Sequence, residues 1–313
     1  MQLYKSRGFG EYFQDTFAFL KQNGKHLFKH FFIINGIFLL ILMAIGYFFS
    51  KFYTETVLGG LINGNNSALD DYINQNSSIF VLLVLIFIVV GLIAGIVSYA
   101  FVPIYLKLYN QNKGKNFTAT DIINVYKANI GKLFAFLFAG IVVAIPLSIG
   151  VGLLLFILAI TIIGIFAMPL VIGAVSLFYQ GTLMEYLEKN RSIWDSFGYS
   201  WKMMSSKFWA AIACVGLFYL ISYIAQNAIA IIPYIFGMVD LFTDIEANTV
   251  PDSMAIQKTM TVMMLAIFLL TFLVSSVLNV VLQLNQGVVY YSLKEDIENI
   301  NTRSDIDLIG SGE

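Results

Sequence analysis

Lys127–Ile149 reads KANIGKLFAFLFAGIVVAIPLSI: a lysine, a short polar step, a second lysine at 132, then an uncharged run from Leu133 onward. The opening recurs twice. Gly24-Lys25-His26-Leu27-Phe28 follows Lys21, and Ser205-Ser206-Lys207-Phe208-Trp209 follows Lys202. In each copy the first lysine stands six residues before a bulky apolar residue, Leu27, Leu133 or Phe208, that leads into a long hydrophobic stretch. A pattern met three times at wide spacing signals repeated structural units.

The composition identifies the solvent. Of the 313 residues, 58% are hydrophobic and only 12% charged, about half the roughly 25% of a soluble domain. Mean hydropathy is +0.79. A span needs about 20 apolar residues to cross a hydrocarbon core about 30 Å thick. Six segments qualify: Phe31–Phe52, Ile79–Leu108, Leu133–Ile149, Gly150–Glu185, Phe208–Val239 and Thr259–Tyr291. The expected fold is therefore all-α: a polytopic membrane protein of six transmembrane helices. Pro146-Leu147-Ser148-Ile149-Gly150 is the punctuation between the third and fourth spans, which leaves a loop or a re-entrant element open there. The first apolar run has no small-residue cleavage site, so it reads as an uncleaved span.

Orientation follows the lysines and arginines. Sixteen of the eighteen lie in the N-terminal arm, the second and fourth connections or the tail; only Lys51 and Lys258 fall in the opposite loops. Both termini are expected in the cytoplasm, and the expected location is a bacterial inner membrane.

The units align by simple shifts. Moving the chain 106 residues places Asp15 on Asp121, Lys21 on Lys127, Asn23 on Asn129 and Phe28 on Phe134. A further 75 places Tyr126 on Trp201 and Lys127 on Lys202. The expected organisation is one membrane domain over 1–293, with repeat units near 9–112, 113–190 and 191–293, and an acidic, solvated tail over 294–313. Each unit is a hairpin preceded by an amphipathic interfacial helix. Phe9, Phe13, Phe17, Leu20, Leu27 and Phe31 share one face of the first, opposite Glu11, Gln14, Gln22, Lys25 and Lys29. Ile193, Trp194, Phe197, Trp201, Met204 and Phe208 share one face of the third, away from Asp195, Lys202 and Ser206. Such helices lie in the headgroup plane; the alternative is that they extend the spans. Thr118-x-x-Asp121 and Ser192-x-x-Asp195 mark helix starts. The loop Ser50–Ser78 has room for a short helix, and its Asn65-Asn66-Ser67 and Asn76-Ser77-Ser78 triplets match glycosylation spacing by chance.

Reactive chemistry is sparse. An ionisable group at hydrocarbon depth would mark a functional site, and the hydrocarbon-depth portions of the spans carry none, which argues against a carboxylate-driven transporter, a voltage sensor or an intramembrane metalloprotease. His26 and His30 have helical spacing but no third ligand, and Cys214 is alone. No cofactor or metal is expected. Ser276, Asn279, Gln283, Gln286 and Tyr290 follow steps of three and four, so one stripe of the sixth span is polar. Gln226 and Asn227 on the fifth span and Ser176 and Gln180 on the fourth are its candidate companions. These amides read either as interhelical hydrogen bonds or as the lining of a polar cavity. Gly91-x-x-x-Gly95 gives the second span a small-residue face for close packing. Lys21, Lys127 and Lys202, at equivalent positions, are the candidate contacts for anionic lipid. Glu185, Glu188 and Asp195 are candidates for interfacial hydrolysis by location alone, and a solvated surface accounts for them better.

Three hairpins suggest mitochondrial carriers, but the Pro-x-Asp/Glu-x-x-Lys/Arg signature is missing after Pro103, Pro146 and Pro233. The amphipathic segments before odd spans, with Gln180-Gly181 and Gln286-Gly287 near the ends of even spans, are instead similar to the membrane domain associated with glycerophosphoryl diester phosphodiesterases and to related bacterial six-span proteins. That resemblance implies a fold and not an activity, since no phosphodiesterase domain is present. The expected function is a non-enzymatic accessory or scaffold protein binding membrane lipids or a partner membrane protein, with no nucleic acid. The alternative is a transporter or flippase using Gln180, Gln226, Asn279 and Gln283.

Overall fold

A computed structural model describes residues 1–62, 64, 67–189, 191–246 and 253–301. Asn65, Asn66 and the tail beyond Asn301 lie outside the described residues. The described chain is helical, without strands: α1 (Phe9–Phe52), a π-helical turn (Tyr53–Leu58), α2 (Gly59–Ile62), α3 (Ala68–Gln111), α4 (Ala119–Ala128), α5 (Ile130–Ala159), α6 (Ile162–Glu188), α7 (Ile193–Ser206), α8 (Phe208–Glu246) and α9 (Ser253–Glu298). Six of these helices are long and apolar enough to cross a membrane. None of the most apolar window of α5 is buried, and Ile149 is 73% exposed. An apolar surface of that extent is stable only against lipid or another protein.

The third and fourth spans meet elsewhere than expected. Pro146 lies inside α5, which runs to Ala159. In lipid a bare backbone break is costlier than one missing hydrogen bond, so the helix continues through the proline. The reversal is at Ile160-Thr161, where Thr161 Oγ1 accepts from Gly164 N at 2.9 Å and caps α6. A Cβ at Gly164 would overlap the Leu158 carbonyl oxygen, so the turn requires glycine.

The amphipathic segments also differ from one another. The first is continuous with its span in α1. The second and third are separate helices, broken from α5 and α8 at Asn129 (φ −114°, ψ 13°) and Lys207 (φ −131°, ψ 50°). Both start at the expected caps: Thr118 with Asp121 forms a reciprocal capping box, and Ser192 Oγ accepts from Asp195 N. The buried faces coincide only in part with the apolar ones: Leu27, Phe31, Phe197 and Met204 are buried, and the rest of the buried set lies to one side. Tyr12, Thr16, Phe19 and Asn23 pack inward on α1, while Phe9 and Phe17 are exposed. On α7 the buried set is Ser196, Phe197, Ser200, Met203 and Met204, with Trp194 and Trp201 outside.

The chain falls into two compact units, Met1–Ile34 with Ile96–Ile221 and Leu278–Glu313, and Asn35–Gly95 with Ser222–Val277. In the second, Phe49 packs on Phe80 and Phe87, Gly237 faces Met263, and no atom outside their own helix lies within 4 Å of a Cβ built on Gly91 or Gly95. The small-residue face of α3 therefore has no close-packed partner among the described residues. In the first unit α6 and α8 cross with backbones nearly touching: a Cβ on Gly173 would sit 2.8 Å from Gly216 N.

Candidate functional site

The ends of α6 and α9 run side by side in the same direction, since contacts advance together from Ser176–Gln286 through Glu185–Tyr290 to Glu188–Lys294. Steps of three or four along α9 put Gln286, Tyr290, Lys294 and Glu298 on one face, and Glu185 and Glu188 share a face of α6. The result is a buried ionic cluster. Lys294 Nζ donates to Glu185 Oε2 at 2.6 Å, to Glu188 Oε2 at 3.0 Å and to Tyr290 Oη at 2.8 Å. An ammonium has three donors, and all three are engaged. Tyr290 Oη lies 2.8 Å from Glu185 Oε2 and donates to it, and Tyr291 donates to Glu188 Oε1.

The cluster extends outward. Arg191 Nε approaches Glu185 Oε1 at 2.7 Å, close but off the hydrogen-bond axis, so the contact is an ion pair. The same guanidinium stacks 4.4 Å over the Tyr199 ring, whose hydroxyl donates to Glu298 at 2.7 Å; Lys189 pairs with Glu298 at 2.9 Å. Tyr4, from the N-terminal arm, donates to Glu188 at 3.2 Å. Burial, then the Glu188 charge, raises the Tyr4 phenol well above its ordinary range. Burial, then the hydrogen bond to Glu298, does the same for Tyr199. Arg7 holds the arm in shape: its guanidinium is buried against Asp15 at 2.7 Å and the carbonyls of Gln2, Leu3 and Lys5.

This corrects two expectations. Glu185 and Glu188 are not a solvated surface, for Glu185 is fully buried and Glu188 nearly so. Lys294 does not begin a solvated tail, because α9 runs on to Glu298 and buries it. Asp195 alone of the three acids is exposed, occupied with the Ser192 cap. Three carboxylates, Glu185, Glu188 and Glu298, face three cations, Lys189, Arg191 and Lys294. With every charge matched, the arrangement offers no unpaired base or nucleophile; it fastens α6, α7, α9 and the N-terminal arm.

Two lysines counted for orientation have a second role. Lys107 Nζ donates to the Leu187 carbonyl at 2.6 Å, and Lys132 Nζ to those of Tyr186 and Lys189 at 3.0 and 3.4 Å. They cap the last turn of α6, where the helix dipole and unpaired carbonyls favour cations. No sequence pattern marks this, because each partner lies more than fifty residues away.

The polar stripe does not form one network. Gln286 Nε2 donates to Ser176 Oγ at 2.7 Å, and Tyr219 donates to the same hydroxyl at 2.7 Å. Gln180 is fully buried with neither amide atom partnered, and the Gln283 and Gln286 Oε1 atoms also lack partners. Asn279 is exposed, and Ser276 bonds to the Phe272 carbonyl of its own helix. In the second unit Gln226 accepts from Ser275 at 2.8 Å, while exposed Asn227 bonds back to the Tyr223 carbonyl. Asn285, missed by the stripe, donates to Thr16 Oγ1 and Cys214 Sγ and ties α1, α8 and α9. His26 meets the Tyr105 hydroxyl at 2.8 Å, and His30 Nδ1–H donates to the His26 carbonyl. Lys21, Lys127 and Lys202 are exposed, and none forms an ion pair among the described residues. Comparisons with protein-family models, with curated proteins and with solved structures gave no match to this chain.

Proposed function

We propose that the protein is a non-enzymatic integral protein of a bacterial inner membrane, an accessory or scaffold that binds lipid or a partner membrane protein. One observation carries the reading. α7 is held by Phe197, Ser200, Met203 and Met204, while Trp194, Trp201 and Lys202 remain exposed on its outer side. Aromatic and basic residues presented together suit the headgroup region. On this reading α4 and α7 lie in the interface of the cytoplasmic leaflet, with both termini on that side, as the basic residues favour. The three-unit repeat and the likeness to the phosphodiesterase-associated membrane domain belong to the same proposal.

Purification of the full chain from native membranes, followed by mass spectrometry, tests it. Reproducible co-purification of a lipid class or a membrane protein is expected; a bare chain with neither overturns the reading. A transporter or flippase for a neutral or amphipathic solute is the second reading, favoured by the unpartnered amide of Gln180 and the orphaned oxygens of Gln283 and Gln286. Solute-dependent flux in vesicles that is lost in Gln180→Leu would establish it.

A further inference from the structure

A slot of about 760 Å³ opens in the first unit between α5, α6 and α8, beside α7. That volume lies in the range of about 300–1,000 Å³ typical of ligand pockets. Leu170 and Ala174 of α6 line it, on the helix that crosses α8 where Gly173 meets Gly216. Its outer wall is α5, with Pro146 and Leu147 facing Ala174. Trp201 of α7 and Trp209 of α8 line it too, and their side chains are 58% and 75% exposed. Every lining residue is uncharged and apolar apart from the two indole N–H groups. Water gains nothing there, because apolar cavities stay dry without two or more polar partners.

We infer that this slot holds one acyl chain of an anionic phospholipid, with Trp201 and Trp209 near its ester region and Lys202 facing its phosphate. The inference rests on the lipid-binding reading above and gives it a site and a headgroup. The chemistry fits on both counts. A flexible, purely apolar chain fills a slot that no solute could enter without losing its hydration. Lys202, next to Trp201 and free of any carboxylate, supplies the complementary charge.

The test uses the full chain, purified in mild detergent and titrated with phosphatidylglycerol carrying brominated acyl chains, with tryptophan quenching as the readout. Saturable quenching is expected, reversed by unbrominated phosphatidylglycerol. Ala174→Phe, which fills the slot from α6, should weaken binding about tenfold, the equivalent of roughly two buried methylenes. Leu147→Phe fills it from α5 and should do the same, so the inference does not depend on one variant folding. Lys202→Gln should weaken phosphatidylglycerol about fivefold and leave brominated phosphatidylcholine unchanged. In the unsubstituted chain, a phosphatidylglycerol bearing a photoreactive acyl tail should label α5, α6 or α8 peptides that line the slot. Unchanged affinity in both filling variants, or labelling confined to other helices, overturns the slot while leaving lipid binding in place. Equal affinity for the two headgroups overturns the assignment to anionic lipid. No saturable binding of either phospholipid overturns the slot, and with no retained native lipid or partner protein the broader reading falls as well.

Discussion

Lys294 Nζ lies 2.6 Å from Glu185 Oε2, with both side chains wholly removed from solvent. A buried pair of this kind contributes little against a well-packed apolar substitute, but removing one partner strands a charge and costs about 3–5 kcal/mol. Lys294→Met should therefore destabilise the protein strongly, and Glu185→Gln less, because a neutral amide can still accept from the ammonium. In Lys294→Met with Glu185→Gln the loss should be smaller than the two single losses added. Thermal unfolding in detergent measures this; strict additivity would show that the two charges are not coupled.

Alkaline pH should loosen the same region. Unfolded phenols ionise near pH 10, whereas Tyr4 and Tyr199 are raised by burial and by Glu188 and Glu298 respectively. Their contribution is fully present below about pH 10 and declines as pH rises beyond it toward the folded values. Melting temperature should drop between about pH 10 and 12, and less steeply in Tyr4→Phe with Tyr199→Phe. A slope unchanged by the double substitution would assign the decline to other groups.

The position of the α5–α6 turn can be read from two glycines. No atom outside its own helix lies within 4 Å of a Cβ at Gly150, so Gly150→Ala should be neutral or stabilising by up to about 1 kcal/mol. Gly164→Ala forces a Cβ into the Leu158 carbonyl and should cost about 1–3 kcal/mol. The reverse order would put the turn back at Pro146–Gly150.

Lys132→Met should lower stability by about 0.3–1 kcal/mol through loss of its bonds to the last carbonyls of α6. Arginine at the same position should restore most of it. A lysine acting only as an orientation signal would leave the melting temperature unchanged in Lys132→Met.

Hydropathy located the six spans because the bilayer imposes one requirement, length without charge, that a single sequence displays. The short helices α4 and α7 were legible from Thr118 and Ser192, whose partners are three residues away. Three features were hidden for physical reasons. The turn at Thr161 depends on a hydroxyl and one glycine inside an apolar run, while the conspicuous Pro146 is absorbed by its helix. The inward faces of α1 and α7 do not coincide with the apolar stripe that periodicity finds, because in lipid part of that stripe can face outward. Thr16, Asn23, Ser196 and Ser200 pack inside instead, as small and polar residues do between membrane helices. The ionic cluster was invisible as a cluster because Glu185 and Lys294 are 109 residues apart.

That separation has a consequence for biogenesis. Glu185 and Glu188 belong to the fourth span, and the ammonium that meets them both arrives with the sixth. Until α9 docks, the acidic pair lacks the ammonium that bridges it. Docking of the final span thus completes the cluster that fastens α6, α7 and the N-terminal arm.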